Sequence, residues 1–169
     1  MKERTLVIIK PDGVERNLIG KIIDYYERGG LKITAMKMVR ADKALVGRHY
    51  PEDDEYMTTL GKKSEKAGEK IKDYKAMGRK IVGWLRTYIT RGPVVAMVLE
   101  GTNAIQRVRE ITGYTDPSAA EKGTIRGDLG NDSILKANKE RRSAENLIHA
   151  SGNREEAERE IKLWFPEMG

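Results

Sequence analysis

Apolar residues recur along the chain with two different periods, and their alternation predicts a mixed α and β order. Thr5 to Ile9 is a short, β-branched apolar run ending at Lys10-Pro11-Asp12-Gly13, as expected of a buried strand that delivers into a turn. Ile19, Ile22, Ile23 and Tyr26 then recur at helical spacing, and Gly29-Gly30 supplies a stop. Leu31 to Val39 reads as a second strand, followed by Asp42 as the N-cap of a short helix reaching Tyr50. From Pro51 to Arg91 the chain is highly charged. Ile71, Tyr74, Ile81, Val82, Leu85 and Tyr88 can share one helical stripe there, with Gly78 weakening its middle. This segment reads as an amphipathic helical insertion or hairpin. Val94 to Leu99 is the third strand, and Thr102 is positioned to cap a helix that Gly113 ends. A long loop and a polar excursion follow. Leu147-Ile148-His149 reads as a fourth short strand. Asn153 with Glu156 resembles a capping box that opens a final helix to Phe165, terminated by Pro166.

One sheet with helices packed on it is the compact solution for this order. The expectation is a ferredoxin-like α+β fold, a four-stranded antiparallel sheet in βαββαβ order covered by helices. At 169 residues the chain fits one domain, 1–169, in which 51–91 is the helical insertion and 129–145 a surface excursion.

Composition narrows the function only partly. The 32 Lys and Arg against 26 Asp and Glu leave a formal charge of +6, which steers phosphate-bearing partners toward the molecule. Such steering does not separate nucleotides from nucleic acids or acidic membranes, and much of the charge lies in the mixed-sign stretch 62–91. RNP-type aromatics are missing and Phe165 is the single Phe, which disfavours a nucleic acid as primary partner. Cysteine is absent, which excludes disulfides and thiolate chemistry and suits a cytoplasmic setting. The N-terminal apolar run is too short for a signal peptide or membrane span, so the expectation is a soluble, unexported protein with no membrane partner.

The chain has two histidines. His49 ends a short helix with no evident acid–base partner nearby in sequence. His149 lies where a strand meets Ala150-Ser151-Gly152, small residues that leave room for a ligand at the imidazole. Glu160 shares the stripe of Ala157, Ile161 and Trp164 on the last helix. A carboxylate facing the core is costly unless paired. It either bonds a ring nitrogen of His149, fixing the tautomer and freeing the other nitrogen as a nucleophile, or reaches solvent beside Arg159 or Lys162. Lys10, Arg109 and Arg126 sit at a strand end, on a helix and in a Gly-flanked loop, where they can converge on a polyphosphate. Thr115 and Asn146 add neutral hydrogen bonds. Phosphoryl transfer needs little more from a protein than charge over the moving oxygens. No P-loop motif occurs, nor the Gly-rich loop of protein kinases with its HRD and DFG motifs.

Lys10-Pro-Asp-Gly-Val-Glu-Arg16, Gly92-Pro-Val-Val-Ala-Met97, Gly123-Thr-Ile-Arg-Gly-Asp128, Asn146-Leu-Ile-His149-Ala-Ser151 and Glu160-Ile-Lys-Leu-Trp-Phe165 resemble, in order, the signature blocks of nucleoside diphosphate kinases, and they span nearly the whole chain. The resemblance implies a homo-tetramer or homo-hexamer. It implies ping-pong transfer in which His149 takes the γ-phosphoryl group from a nucleoside triphosphate and passes it to a diphosphate, maintaining NTP and dNTP pools. By the same resemblance, Lys10, Arg109, Thr115, Arg126 and Asn146 hold phosphates and sugar, with Tyr50 beside the phosphohistidine. Glu160 orients His149, supported by Ser151. Mg²⁺ arrives on the nucleotide phosphates, with no direct protein ligands expected. Tyr56 is the candidate base platform, with Leu60 as its apolar neighbour.

The chain departs from the compact family pattern in three places. A long insertion follows Tyr50, Gly152 stands where an acidic residue is usual, and residues 129–145 are extended as in a longer-chain subgroup. The remaining alternative to an enzyme is a regulatory module that keeps the fold without efficient transfer. Such relatives usually lose the His or the Lys, and neither is lost here.

Overall fold

The computed structural model describes residues 1–168. Four strands, β1 (Lys2–Ile9), β2 (Lys32–Val39), β3 (Val94–Thr102) and β4 (Ile148–Ala150), form one antiparallel sheet in the order β2-β3-β1-β4. The crossovers are α2 (Ile19–Arg28), between β1 and β2, and α6 (Ala104–Thr112), between β3 and β4, which completes the ferredoxin-like α+β order. Central strands β1 and β3 are buried on both faces, which explains their unbroken apolar runs. Leu6, Ile8, Val94, Ala96 and Val98 face one core with Val46, Ile161 and Trp164. Val7, Ile9, Val95, Met97 and Leu99 face the other with Ile22, Tyr26 and Val108.

On the first face lie α3 (Lys43–His49), the insertion helices α4 (Asp54–Lys66) and α5 (Tyr74–Thr90), and the last helix α9 (Arg154–Trp164). Caps set several of these starts: Asp42 accepts from the Leu45 amide at 2.8 Å, Asp53 from Tyr56 at 2.9 Å and Asp73 from Ala76 at 2.9 Å. Asn153 accepts from the Glu156 amide at 2.9 Å, and the Glu156 carboxylate accepts from the Gly152 amide at 2.7 Å, a reciprocal cap. A Cβ at residue 152 would lie 2.7 Å from that carboxylate, so the glycine makes room for it.

The elements differ from their sequence expectations at instructive points. Pro11–Glu15 is a one-turn helix, α1, because Pro at its first position is already set for helical φ. Thr102 is still in the β3 ladder, paired with Lys2, so it caps nothing; Asn103, at φ 51°, makes the turn into α6. Ile71 lies outside α5, which starts only at Tyr74 beneath the Asp73 cap. Gly78 does not weaken α5. A Cβ there would meet the Met57 carbonyl oxygen at 1.8 Å, and one at Gly61 would meet that of Tyr74 at 2.2 Å. The two glycines let α4 and α5 pack with their backbones nearly touching. The 129–145 excursion lies at the surface but is anchored to the fold. It carries α7's last residue (α7 is Ile125–Leu129) and α8 (Ile134–Lys139). A two-pronged Arg142–Asp132 pair at 2.6 and 3.0 Å staples it, and Asn138 donates to Ser64 of α4 at 3.0 Å.

Candidate active site

Strand register decides what His149 meets. It pairs with Ile8 of β1, and directly opposed residues of an antiparallel pair share a face, so the imidazole points toward α3 and α9. Just before it, Leu147 is not in the strand: it is held at φ 69°, a conformation costing a β-region residue about 1–3 kcal/mol. Two bonds hold it there. Its amide donates to Asp12 Oδ2 at 3.2 Å, and its carbonyl accepts from the Lys10 amide at 2.8 Å. The kink ties the end of β1 to the start of β4 and so sets Lys10 and His149 side by side.

Glu160 is 1% exposed on α9, and the core-facing alternative holds. Its Oε1 accepts from the Ser151 hydroxyl at 2.7 Å, while Oε2 lies 2.7 Å from His149 Nε2 and 3.2 Å from His49 Nδ1. The Trp164 indole donates to His49 Nδ1 at 3.1 Å. That bond makes His49 Nδ1 an acceptor with no proton to offer the carboxylate, so the proton facing Oε2 belongs to His149 Nε2. The contact is short but off the ring's N–H axis, so the carboxylate holds the Nε2–H dipole through a bent hydrogen bond. His149 Nδ1 therefore keeps its lone pair. Burial acts to raise the Glu160 carboxyl, but the pull of the neighbouring His149 ring, with smaller help from His49 and the Ser151 hydroxyl, outweighs it and holds the group at about 2. His49 is pushed well below the ordinary imidazole range by burial and then by His149, so it stays neutral. Its ring stands edge-on to His149, centroids 4.3 Å apart, and walls that imidazole in.

His149 and the cations share one cleft of about 1720 Å³, room enough for a nucleotide. Lys10, 4% exposed, donates to Asn146 Oδ1 at 2.9 Å; burial and then Arg126 lower its ammonium to about 7. Asn146 in turn donates to the Thr115 carbonyl at 3.0 Å. Arg126 is buried, its pKa lowered by that burial to about 10. It donates to the carbonyls of Asn146, Gly113 and Ile148, three of its five N–H groups, which leaves two for an anion. Arg109 lines the cleft from the exposed side of α6. Tyr50 is buried with its ring centroid 6.1 Å from that of His149, and Tyr56 and Leu60 reach the cleft from α4. Every residue singled out from the sequence thus lies at this cleft or, as Ser151 and Glu160 do, directly behind it.

Two residues were missed. His49 belongs to the site, although sequence reading assigned it no partner, since its partners Glu160 and Trp164 come from a helix more than a hundred residues away. Lys63 also lines the cleft, on α4, and only its spacing from Tyr56 and Leu60 could have pointed to it. His49, His149 and Glu160 are also close enough to share a cation, their ligand atoms within 4.8 Å. Two imidazoles and one carboxylate suit Mg²⁺ poorly, because that ion takes an octahedron of oxygens.

A carboxylate-oriented imidazole with a free nitrogen, facing a cleft lined with lysine and arginine, defines a phosphoryl-handling protein. Comparison with known proteins gives the family. The model of the family described as nucleoside diphosphate kinase matches residues 3–65 and 63–169. A nucleoside diphosphate kinase of Pyrobaculum aerophilum is 44% identical over 175 residues, covering 98% of this chain and 96% of that one. One from Pyrococcus abyssi is 46% identical, covering 97% and 84%. The crystal structure of an NDP kinase from P. aerophilum superposes with a TM-score of 0.93 at 43% identity, covering 99% of this chain and 98% of that one. A Borrelia burgdorferi nucleoside-diphosphate kinase described as a transition-state mimic with bound vanadate and ADP gives 0.83 at 37% identity, covering 97% and 87%. The chain belongs to the nucleoside diphosphate kinase family.

Proposed function

We propose that the chain moves the γ-phosphoryl group of a nucleoside triphosphate, typically ATP, to a nucleoside diphosphate through a phosphohistidine on His149 Nδ1. The observation that carries this is the Glu160–His149 pair at 2.7 Å, which supports a ring proton on Nε2 and a lone pair on Nδ1. In the first half-reaction Nδ1 bonds to the γ-phosphorus as the bond from that phosphorus to the β–γ bridging oxygen breaks, and the diphosphate leaves with those electrons. In the second, a terminal oxygen of a different diphosphate attacks the phosphohistidine and Nδ1 takes its electron pair back. Lys10, Arg109, Arg126, Thr115 and Asn146 hold the phosphates and sugar, and Tyr50 flanks the reacting group. Charge gathered over the transferring oxygens does most of the catalytic work in such a step. Tyr56 and Leu60 form the base end. The vanadate and ADP in the B. burgdorferi relative support reading this cleft as a phosphoryl-transfer site.

Mg²⁺ would enter with the nucleotide substrate, offsetting the charge of its phosphates, rather than in a protein cage. Assembly as a homo-tetramer or homo-hexamer and a cytoplasmic setting belong to the same proposal. Self-association is supported by β2, an edge strand with Met36 and Met38 exposed at 55% and 58%. No helix among the described residues is long and apolar enough to cross a membrane.

Incubation with γ-labelled ATP tests the mechanism. The label should be acid-labile and alkali-stable, and His149→Ala should abolish both label and ATP-to-GDP transfer while nucleotide binding survives. Retained turnover in His149→Ala overturns it.

A further inference from the structure

We propose that Lys63, carried by the insertion, is a further phosphate-binding residue, which makes α4 a single rigid element that grips both ends of the nucleotide. The inference rests on the reading of the cleft as a nucleotide site. Tyr56, Leu60 and Lys63 stand at positions i, i+4 and i+7 of α4, one stripe of the helix, and all three line the cleft. Lys63 Nζ donates to Thr115 Oγ1 at 3.4 Å. Thr115 is joined through its carbonyl to Asn146, and Asn146 to Lys10 Nζ, so the ammonium closes a chain of groups already assigned to phosphate and sugar.

Its surroundings are those of a cation waiting for an anion. Lys63 is half-buried. Burial, then Arg126, then Arg109 lower its pKa, and the attraction of Glu156 is the smallest of the four influences. Gathering these like charges without a matched carboxylate costs stability, which a bound polyphosphate would return. Nor is the lysine a loose surface side chain. The helix beneath it is fixed by the close α4–α5 backbone contact at Gly61 and Gly78 and, from behind, by the Asn138–Ser64 bond. Leu60, Lys63 and Ser64 also line a cavity of about 70 Å³ closed by Ile134, Asn138 and Ala144 of the second excursion. Both extra segments of this chain therefore serve one purpose, to hold α4 against the cleft so that the base end and the phosphate end are set by the same helix.

Titration calorimetry with ADP and with adenosine, on the wild type, Lys63→Gln, Lys63→Arg and Arg109→Gln, tests this. A lost charge-assisted phosphate contact should weaken ADP binding to Lys63→Gln about 10- to 100-fold. Adenosine binding should be unchanged, and Lys63→Arg should recover most of the ADP affinity. Equal losses for ADP and adenosine would make Lys63 merely structural and overturn the proposal. Wild-type ADP affinity in Lys63→Gln alongside a loss in Arg109→Gln overturns it while leaving the nucleotide site standing. If neither variant weakens ADP, the site reading falls with it.

Discussion

Replacing Glu160 by Gln keeps the shape of a fully buried side chain and removes its charge. The carboxyl is held at about 2 against an ordinary 4.5, because the attraction of His149 and then its other partners outweigh the cost of burial. At roughly 1.4 kcal/mol per pKa unit, that drop corresponds to about 3 kcal/mol favouring the carboxylate over the acid in the folded protein. Since the folded pKa is depressed, the unfolded chain binds protons near pH 4.5 before the folded one does. The stabilisation is therefore complete above about pH 5 and is lost as pH falls toward 2. Urea unfolding across that range should show wild type more stable than Glu160→Gln by up to about 3 kcal/mol above pH 5, with the gap shrinking on acidification. The chemistry should change with it. A Gln amide can present either its oxygen or its NH₂ to Nε2, and in the second arrangement the ring proton moves to Nδ1 and blocks the nucleophile. Single-turnover phosphorylation by ATP should slow by about 10- to 100-fold, the scale on which removing a carboxylate that orients a metal-binding histidine acts, with ADP affinity unchanged. A wild-type phosphorylation rate, or a stability gap independent of pH, would refute the assignment.

Two further outcomes follow from the geometry. Lys10 loses its proton near 7 because it is buried beside Arg126, and a bound phosphate should restore it. ADP binding should then take up a proton above pH 7, where the phosphates are fully ionised, and weaken as pH rises, as calorimetry in buffers of different ionisation enthalpy will show; the free protein should gain stability from pH 7 upward as the buried ammonium discharges. A pH-independent affinity between 7 and 9 would contradict this. Gly78→Ala raises helix propensity yet places a methyl 1.8 Å from the Met57 carbonyl oxygen, so α4 and α5 must part. A net loss of about 1–3 kcal/mol, seen as a thermal midpoint lowered by about 3–10 °C, is expected, whereas a raised midpoint would mean the glycine is no packing contact.

Periodicity along the chain was enough to place the four strands, the two crossover helices and the caps at Asp42 and Asn153, though not the one expected at Thr102, because alternation, helical spacing and cap chemistry are local properties. The same local logic singled out His149, since small residues follow it, and Lys10, since it ends a buried run. It also set out the two possibilities for Glu160 without choosing between them. That choice was made by register. The pairing of His149 with Ile8 aims the ring at α9, and a slip of one residue would have sent it to the opposite face. His49 illustrates the limit most clearly: its partners, Glu160 and Trp164, lie on a helix that only the folded sheet brings against α3. Gly78 looks like a weak point of a helix in sequence and is, with Gly61, a contact point in space, since a missing Cβ has meaning only where another backbone approaches. Composition and periodicity thus determined the four strands and the two crossover helices, though not the short helices α1, α7 and α8, and which residues have the right chemistry. The face each residue occupies, the proton on Nε2 rather than Nδ1, and the presence of Lys63 at the phosphate end were decided by long-range packing, which no local pattern encodes.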